Sequence, residues 1–401
     1  MALFVAALAF RLAIVFATGM YRDLVRYELE RTAISLATRG VYGNPFIVDT
    51  GPTAHIVPGY TLLVAAIFKI FGVGVAGEVV KEVLSCIVSS LRCGLLPWIA
   101  VSMGIRPRAA LIAGCISVFW ISALETEVKG GWESPYCALL LLILTARHFL
   151  HPVRSQNWTQ ILTTGVLWGI MLLMNPAMVL VLGGFLMVDL YRERQWFPWP
   201  VWRNGAVVAA IAFLILVPWG LRNLSALGSF IPTRSNLGFE LYEAYHSGAH
   251  WANDAYMQLP NGPHPLHNPA VALRIREMGE VAFNKEKQGL AIGWIRSEPR
   301  EALRLAFLHF VRFWFPPGRN TVHGIIIAAF TVTGLCGLFI LRRTHRELAL
   351  QLGSILVTYP LIYYVIIWQS RYRYPIEWVL VLLCGVTLAS VEARLSGRAS
   401  A

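Results

Sequence analysis

Long apolar runs alternate with short basic connections along most of this chain. The runs fall at roughly 2–19, 83–103, 108–124, 135–150, 160–175, 177–190, 205–221, 321–341, 348–367 and 375–391. A helix of about 20 apolar residues crosses a bilayer, so the pattern predicts about ten transmembrane helices. Between them lie Arg106 and Arg108; Arg147 and Arg154; Arg192, Arg194 and Arg203; Arg342, Arg343 and Arg346; and Arg394 and Arg398. Only Glu193, Glu347 and Glu392 oppose these twelve cations. Basic loops stay in the cytoplasm. All five connections share that side only if the apolar residues 56–71 fail to cross, so this 16-residue run, with Lys69 near its end, reads as re-entrant or interfacial.

On that reading residues 20–82, 125–134, 222–320 and 368–374 face the outside. The chain is then a single domain over 1–401, with a first outer loop at 20–82 and a long outer loop at 222–320. A connection that long is functional or disordered. Apolar positions recur at helical spacing over 269–309, and Asn268 before Pro269 forms a cap and first-turn pair. The segment therefore reads as a helical lid. The fold class expected is an all-α polytopic membrane protein with interfacial or re-entrant helices and that lid.

Composition agrees. Of 401 residues 56% are hydrophobic and 14% charged, well below the quarter charged of soluble chains. The net charge of +12 would prompt a nucleic-acid reading in a soluble protein. Here much of it sits in the cytoplasmic connections and orients the chain, so nucleic acid is excluded as a partner. The first run carries Arg11 and lacks a basic leader region, so it reads as a span and not a signal peptide. Six cysteines in apolar stretches form no metal or disulfide pattern. Gly72 to Gly77 matches G-x-G-x-x-G but follows no parallel strand, and reads as a tight turn. His246 with His250, and His264 with His267, are spaced like metal ligands without a supporting motif; they read as loop histidines. No P-loop or G-x-S-x-G is present.

Four groups outside the spans carry candidate chemistry. A helix drawn from Asp23 puts Val25, Leu29, Ala33 and Leu36 on one stripe, Glu28 beside Thr32 and Ser35, and Asp23 with Glu30 opposite, near Arg26. Glu125, Glu127, Lys129, Trp132 and Glu133 occupy the second outer turn, where hydrated loop charge competes with acceptor contact. Arg222 and Asn223 follow Pro218-Trp219, with Arg234, Ser235 and Asn236 beyond. Arg371 and Arg373 lie between the last two spans. Outer-face arginines run against the positive-inside rule and invite a ligand; the guanidinium fork matches phosphate.

Tyr27-Glu28, Gly40, Pro45-Phe46, Thr50-Gly51-Pro52-Thr53-Ala54, Pro58, Trp132-Glu133, Asn175-Pro176, Pro218-Trp219-x-x-Arg222-Asn223, Gly279-Glu280 and Arg371-Tyr372-Arg373-x-Pro375 resemble bacterial integral-membrane glycosyltransferases of the GT-C superfamily, nearest the protein O-mannosyltransferases and aminoarabinose transferases. The resemblance implies a polyprenyl-phosphate sugar donor, a protein, lipid or glycan acceptor, and an active site on the outer face of a bacterial inner membrane. It also implies an acid in the first outer loop that acts on the acceptor hydroxyl. Glu28 is the first choice for that base and Asp23 the second; family members commonly carry Asp there, beside another acid. Arg222, Arg234, Asn236, Arg371, Arg373, Glu133 and Lys129 are the candidate substrate-binding residues. No metal-ligand set is assigned, and a divalent cation is left open. The rival readings are a transporter or flippase, with Arg11 and Arg92 as its only midplane charges, and an envelope polysaccharide polymerase.

Overall fold

A computed structural model of the chain describes residues 1–24, 26–193, 198–249, 262, 264–318 and 320–396, apart from the side chain of Ile121. Val25, Arg194, His250 and Arg398 lie outside the described residues. Seventeen α-helices form among the described residues. The first ten are α1 (Ala2–Thr18), α2 (Glu28–Arg39), α3 (Pro58–Phe71), α4 (Val75–Ser102), α5 (Pro107–Phe119), α6 (Ile121–Lys129), α7 (Ser134–Leu150), α8 (Trp158–Met174), α9 (Met178–Glu193) and α10 (Trp199–Leu227). Then follow α11 (Leu237–Ala244), α12 (Pro269–Met278), α13 (Glu280–Ser297), α14 (Pro299–Trp314), α15 (Thr321–Thr344), α16 (Arg346–Thr358) and α17 (Tyr374–Leu395).

Each apolar run predicted from the sequence is helical over most of its length. By length and composition, four of these helices can cross a membrane alone, α4, α10, α15 and α17; α5 with α6 makes a fifth if that pair, bent by 62°, is one span. At 14 residues α3 is about 21 Å long, short of the roughly 30 Å hydrocarbon core. Helix α17 is the centre of the bundle: Tyr374 to Val386 are buried without interruption, packed by α5, α7 and α15. A helix apolar all round must be buried on all sides or face lipid. The turn between α3 and α4 needs its glycines, because Gly72 has φ 84° and a Cβ at Gly77 would lie 2.2 Å from the Gly72 carbonyl oxygen.

Three local expectations are corrected. Helix α2 starts at Glu28 instead of Asp23, because Tyr27 is extended and Glu30 reaches back to accept from the Tyr27 N–H at 3.1 Å. Arg26 therefore leaves the helix face and binds Glu78 and the Val73 carbonyl. Glu30, expected on a solvated face, is buried against Lys81. Glu127, expected in a hydrated turn, is 0% exposed. The bend at α6 carries it back between α1 and α4. There it accepts from Arg11 at 2.7 Å, Arg92 at 2.7 Å and the Tyr374 hydroxyl at 2.6 Å.

Candidate functional site

Glu28 occupies the first turn of α2, where free backbone N–H groups and the helix dipole favour an anion. The side chain is nonetheless buried, and burial raises its pKa against the opposing pull of Arg371, Arg234 and His267. His264 Nε2 lies 3.2 Å from Glu28 Oε1. The Leu266 N–H donates to His264 Nδ1 at 3.1 Å, so a neutral ring carries its proton on Nε2, facing the carboxylate. Neutral it is: burial pushes the His264 pKa down to about 3, with His267 and Arg371 adding to the shift. Phe239 packs edge-on against this imidazole, 5.3 Å between ring centres.

Arg371 approaches the carboxylate from the turn before α17. Its guanidinium carbon lies 3.3 Å from the centre of the Trp132 ring, and among the described residues it makes no hydrogen bond or ion pair. Glu133, the residue before α7, is half-buried; burial raises its pKa while Arg371 and Arg234 lower it. Arg234 reaches Glu240 at 3.3 Å, and Asn236 donates to the same oxygen at 2.7 Å. Thus Glu28, Glu133, Arg234, Asn236 and Arg371, from four separate stretches of chain, surround one locus.

The remaining candidates do not join them. Arg222 is committed to protein: it donates to the carbonyls of Thr53 at 2.7 Å and Tyr42 at 2.6 Å, and lies over the rings of Tyr42 and Trp219. Arg373 turns inward, donating to the Trp314 carbonyl at 2.8 Å and pairing with Glu377 at 3.4 Å. Ser370–Tyr372 form a 3-10 turn and Arg373 is itself helical, so side chains two positions apart diverge, which separates Arg373 from Arg371. Lys129 pairs with Glu125 at 2.8 Å on an exposed helix face. Asp23 is exposed before α2 and makes no ion pair among the described residues.

Arg222 helps hold a clasp that shapes the site. Residues 42–53 fold back on themselves, with Asn44 N–H donating to the Gly51 carbonyl at 2.9 Å. A Cβ at Gly43 would lie 2.3 Å from that oxygen, so only glycine fits. Glu280, at the start of α13, accepts from the Thr53 hydroxyl, from Ala54 N–H at 2.9 Å and from Ser235 Oγ at 2.6 Å. One carboxylate therefore ties the helices after residue 268 to both loops beside Glu28.

His264, Glu240 and Glu243 were missed as site residues. The only sequence signal was the spacing of His264 and His267, which without a supporting motif read as loop histidines. No group of three or more His, Cys, Asp or Glu among the described residues is arranged to hold a metal ion.

The helical architecture is the GT-C fold, as the resemblance implied. The chain is similar in structure to the oligosaccharyltransferase of Archaeoglobus fulgidus in complex with zinc and sulfate, with TM-score 0.56 and 14% identity over 99% of this chain and 50% of that one. It is similar also to the oligosaccharyltransferase AglB of Archaeoglobus fulgidus in complex with an inhibitory peptide and a dolichol-phosphate, with TM-score 0.54 and 14% identity over 100% of this chain and 52% of that one. ArnT of Cupriavidus metallidurans bound to undecaprenyl phosphate gives TM-score 0.43 and 15% identity over 97% and 78% of the two chains. At these identities the likeness is one of fold, and the chain spans about half the length of the oligosaccharyltransferases it matches. No protein-family model matches the sequence, and no curated protein matches it in sequence.

Proposed function

We propose that this chain is a membrane-embedded glycosyltransferase that moves a sugar from a polyprenyl-phosphate donor to an acceptor on the outer face of a bacterial inner membrane. One observation carries the reading: a buried carboxylate, Glu28, faces a guanidinium, Arg371, that has no acceptor among the described residues. The dolichol-phosphate held by AglB, on the same fold, agrees with a lipid phosphate as ligand.

In the proposed step the acceptor oxygen attacks the anomeric carbon as its proton passes to Glu28. The bond from that carbon to the phosphate oxygen breaks, and the lipid phosphate leaves with the electron pair. A single displacement inverts the anomeric centre. His264 holds one carboxylate oxygen and leaves the other for the acceptor hydroxyl. The raised pKa makes Glu28 a stronger base than an ordinary carboxylate. Arg371, with Arg234 behind it, stabilises the charge gathering on the phosphate.

The reading includes ten crossings, with α3 lying in the interface and the helices of 222–320 forming a lid. The test is transfer of labelled sugar from a polyprenyl-phosphate donor by the protein in nanodiscs. Wild type is expected to release lipid phosphate and Glu28→Gln to do so hundreds of times more slowly; equal rates would remove Glu28 from the step.

A further inference from the structure

We propose that Glu240, Glu243 and Tyr372 form a subsite that recognises the sugar ring of the donor through its hydroxyl groups. The proposal rests on the transferase reading and deepens it. In a displacement of this kind the sugar lies between the leaving phosphate and the base, so its recognition groups must lie between Arg371 and Glu28.

Three side chains stand beside these two groups: the Arg371 guanidinium carbon lies 5.4 Å from the centre of the Tyr372 ring, and Phe239, one turn before Glu243, packs on the His264 that meets Glu28. Glu240 and Glu243 stand one turn apart on α11 and so share a face. One Glu240 oxygen holds Asn236 and Arg234; the other, Oε2, is buried without a hydrogen-bond partner among the described residues. Glu243 is 2% exposed, and its Oε1 is likewise buried without a partner among the described residues. Native proteins pair the large majority of their buried polar atoms, and an unpaired one calls for an explanation, of which a ligand contact is one. Glu243 is near enough to both Glu240 and Glu28 for their charges to act on it. Tyr372 closes the other side. It feels the charges of Glu240 and Arg371, its ring stacks on Tyr363 at 4.6 Å, and its hydroxyl makes no hydrogen bond among the described residues.

A carboxyl pair beside an aromatic ring suits a sugar, which presents hydroxyl edges and an apolar C–H face. Burial and the two neighbouring carboxylates raise the Glu243 pKa well above the ordinary range, which favours the protonated form, a group that both donates and accepts. That state serves a hydroxyl group better than an ammonium group, which calls for a full carboxylate.

The test compares binding of bare undecaprenyl phosphate with that of undecaprenyl-phosphate glucose, mannose and galactose to the full chain in nanodiscs. Wild type is expected to hold at least one sugar-bearing lipid more tightly than the bare lipid. Glu243→Leu and Tyr372→Leu are each expected to weaken that lipid about tenfold, the effect of leaving one buried polar contact unmade, with the bare lipid bound as in wild type. Equal loss for both lipids, or an unchanged preference in both variants, overturns the subsite and leaves the transferase reading standing. A Glu243-dependent preference for an amine-bearing sugar lipid alone overturns the hydroxyl assignment. Failure of wild type to bind any of these lipids overturns the transferase reading and the subsite together.

Discussion

The guanidinium of Arg371 lies over the Trp132 ring, 3.3 Å from its centre. The ring holds the cation by its face and leaves the donor edges for an anion. Arg371→Ala is expected to weaken bare undecaprenyl phosphate at least tenfold. Arg371→Lys regains only part of that, since an ammonium keeps the charge but loses the fork. Trp132→Ala gives a smaller loss, about 1 kcal/mol. Titration with the lipid in nanodiscs reads all three, and wild-type affinity in Arg371→Ala would place the phosphate elsewhere.

The pH profile follows from the two buried groups at α2. In the proposed step Glu28 serves as the base only when ionised, and burial raises its pKa. Turnover should therefore fall as pH drops through a value above the ordinary carboxylate range. His264, held at about 3, stays neutral throughout and adds no limb near neutrality. Replacing Glu28 by Gln should abolish that limb and lower kcat by about 10²–10⁴-fold. An acidic limb that persists in Glu28→Gln belongs to another group.

Glu127 neutralises two buried arginines, so Glu127→Gln leaves both undercompensated. The expected cost is about 3–5 kcal/mol, seen as a lower unfolding midpoint in detergent. A midpoint within a degree or two of wild type would show that the ion cluster is dispensable. The pairing also weakens the transporter reading, because Arg11 and Arg92 are sealed against a partner and not free to meet a cargo.

Glu280 ties α13 to the loops beside Glu28. Glu280→Ala removes the acceptor of three hydrogen bonds, each worth about 1.5–3 kcal/mol when it involves a charged group. Limited proteolysis should then cut within 222–320 faster than in wild type; an identical digestion pattern would count against the clasp.

Orientation is open to direct labelling. In a chain whose cysteines have been replaced, Arg39→Cys at the exposed C-terminal end of α2 should react with an impermeant thiol reagent from outside. Arg342→Cys should react only after the cells are opened. Reversed accessibility would invert the topology.

The apolar helices and the four polar groups were legible in the chain because apolar length and local charge are local properties. Asn268 and Pro269 likewise announce the start of α12, and Asn268 accepts from Ala270 N–H at 3.0 Å. What could not be read was long-range pairing. Arg11 and Glu127 are 116 residues apart, and no helical spacing links them. The start of α2 was missed because Tyr27 is an unusual cap and Glu30 supplies the closing contact. Arg222 and Arg373 looked like Arg371 in sequence; only burial and the carbonyls around them tell the three apart. The approach of His264 to Glu28 required the intervening chain to fold back on itself.

The turn before α17 divides its labour by position. Arg371 faces the locus, Arg373 grips the Trp314 carbonyl and Glu377, and Tyr374 reaches down to Glu127. Foundation and tool are thus separate side chains on one short stretch. The residue at 371 can be exchanged while the footings at 373 and 374 hold the turn in place, so the preference for one lipid headgroup can be retuned, by evolution or by design, without rebuilding the bundle beneath it.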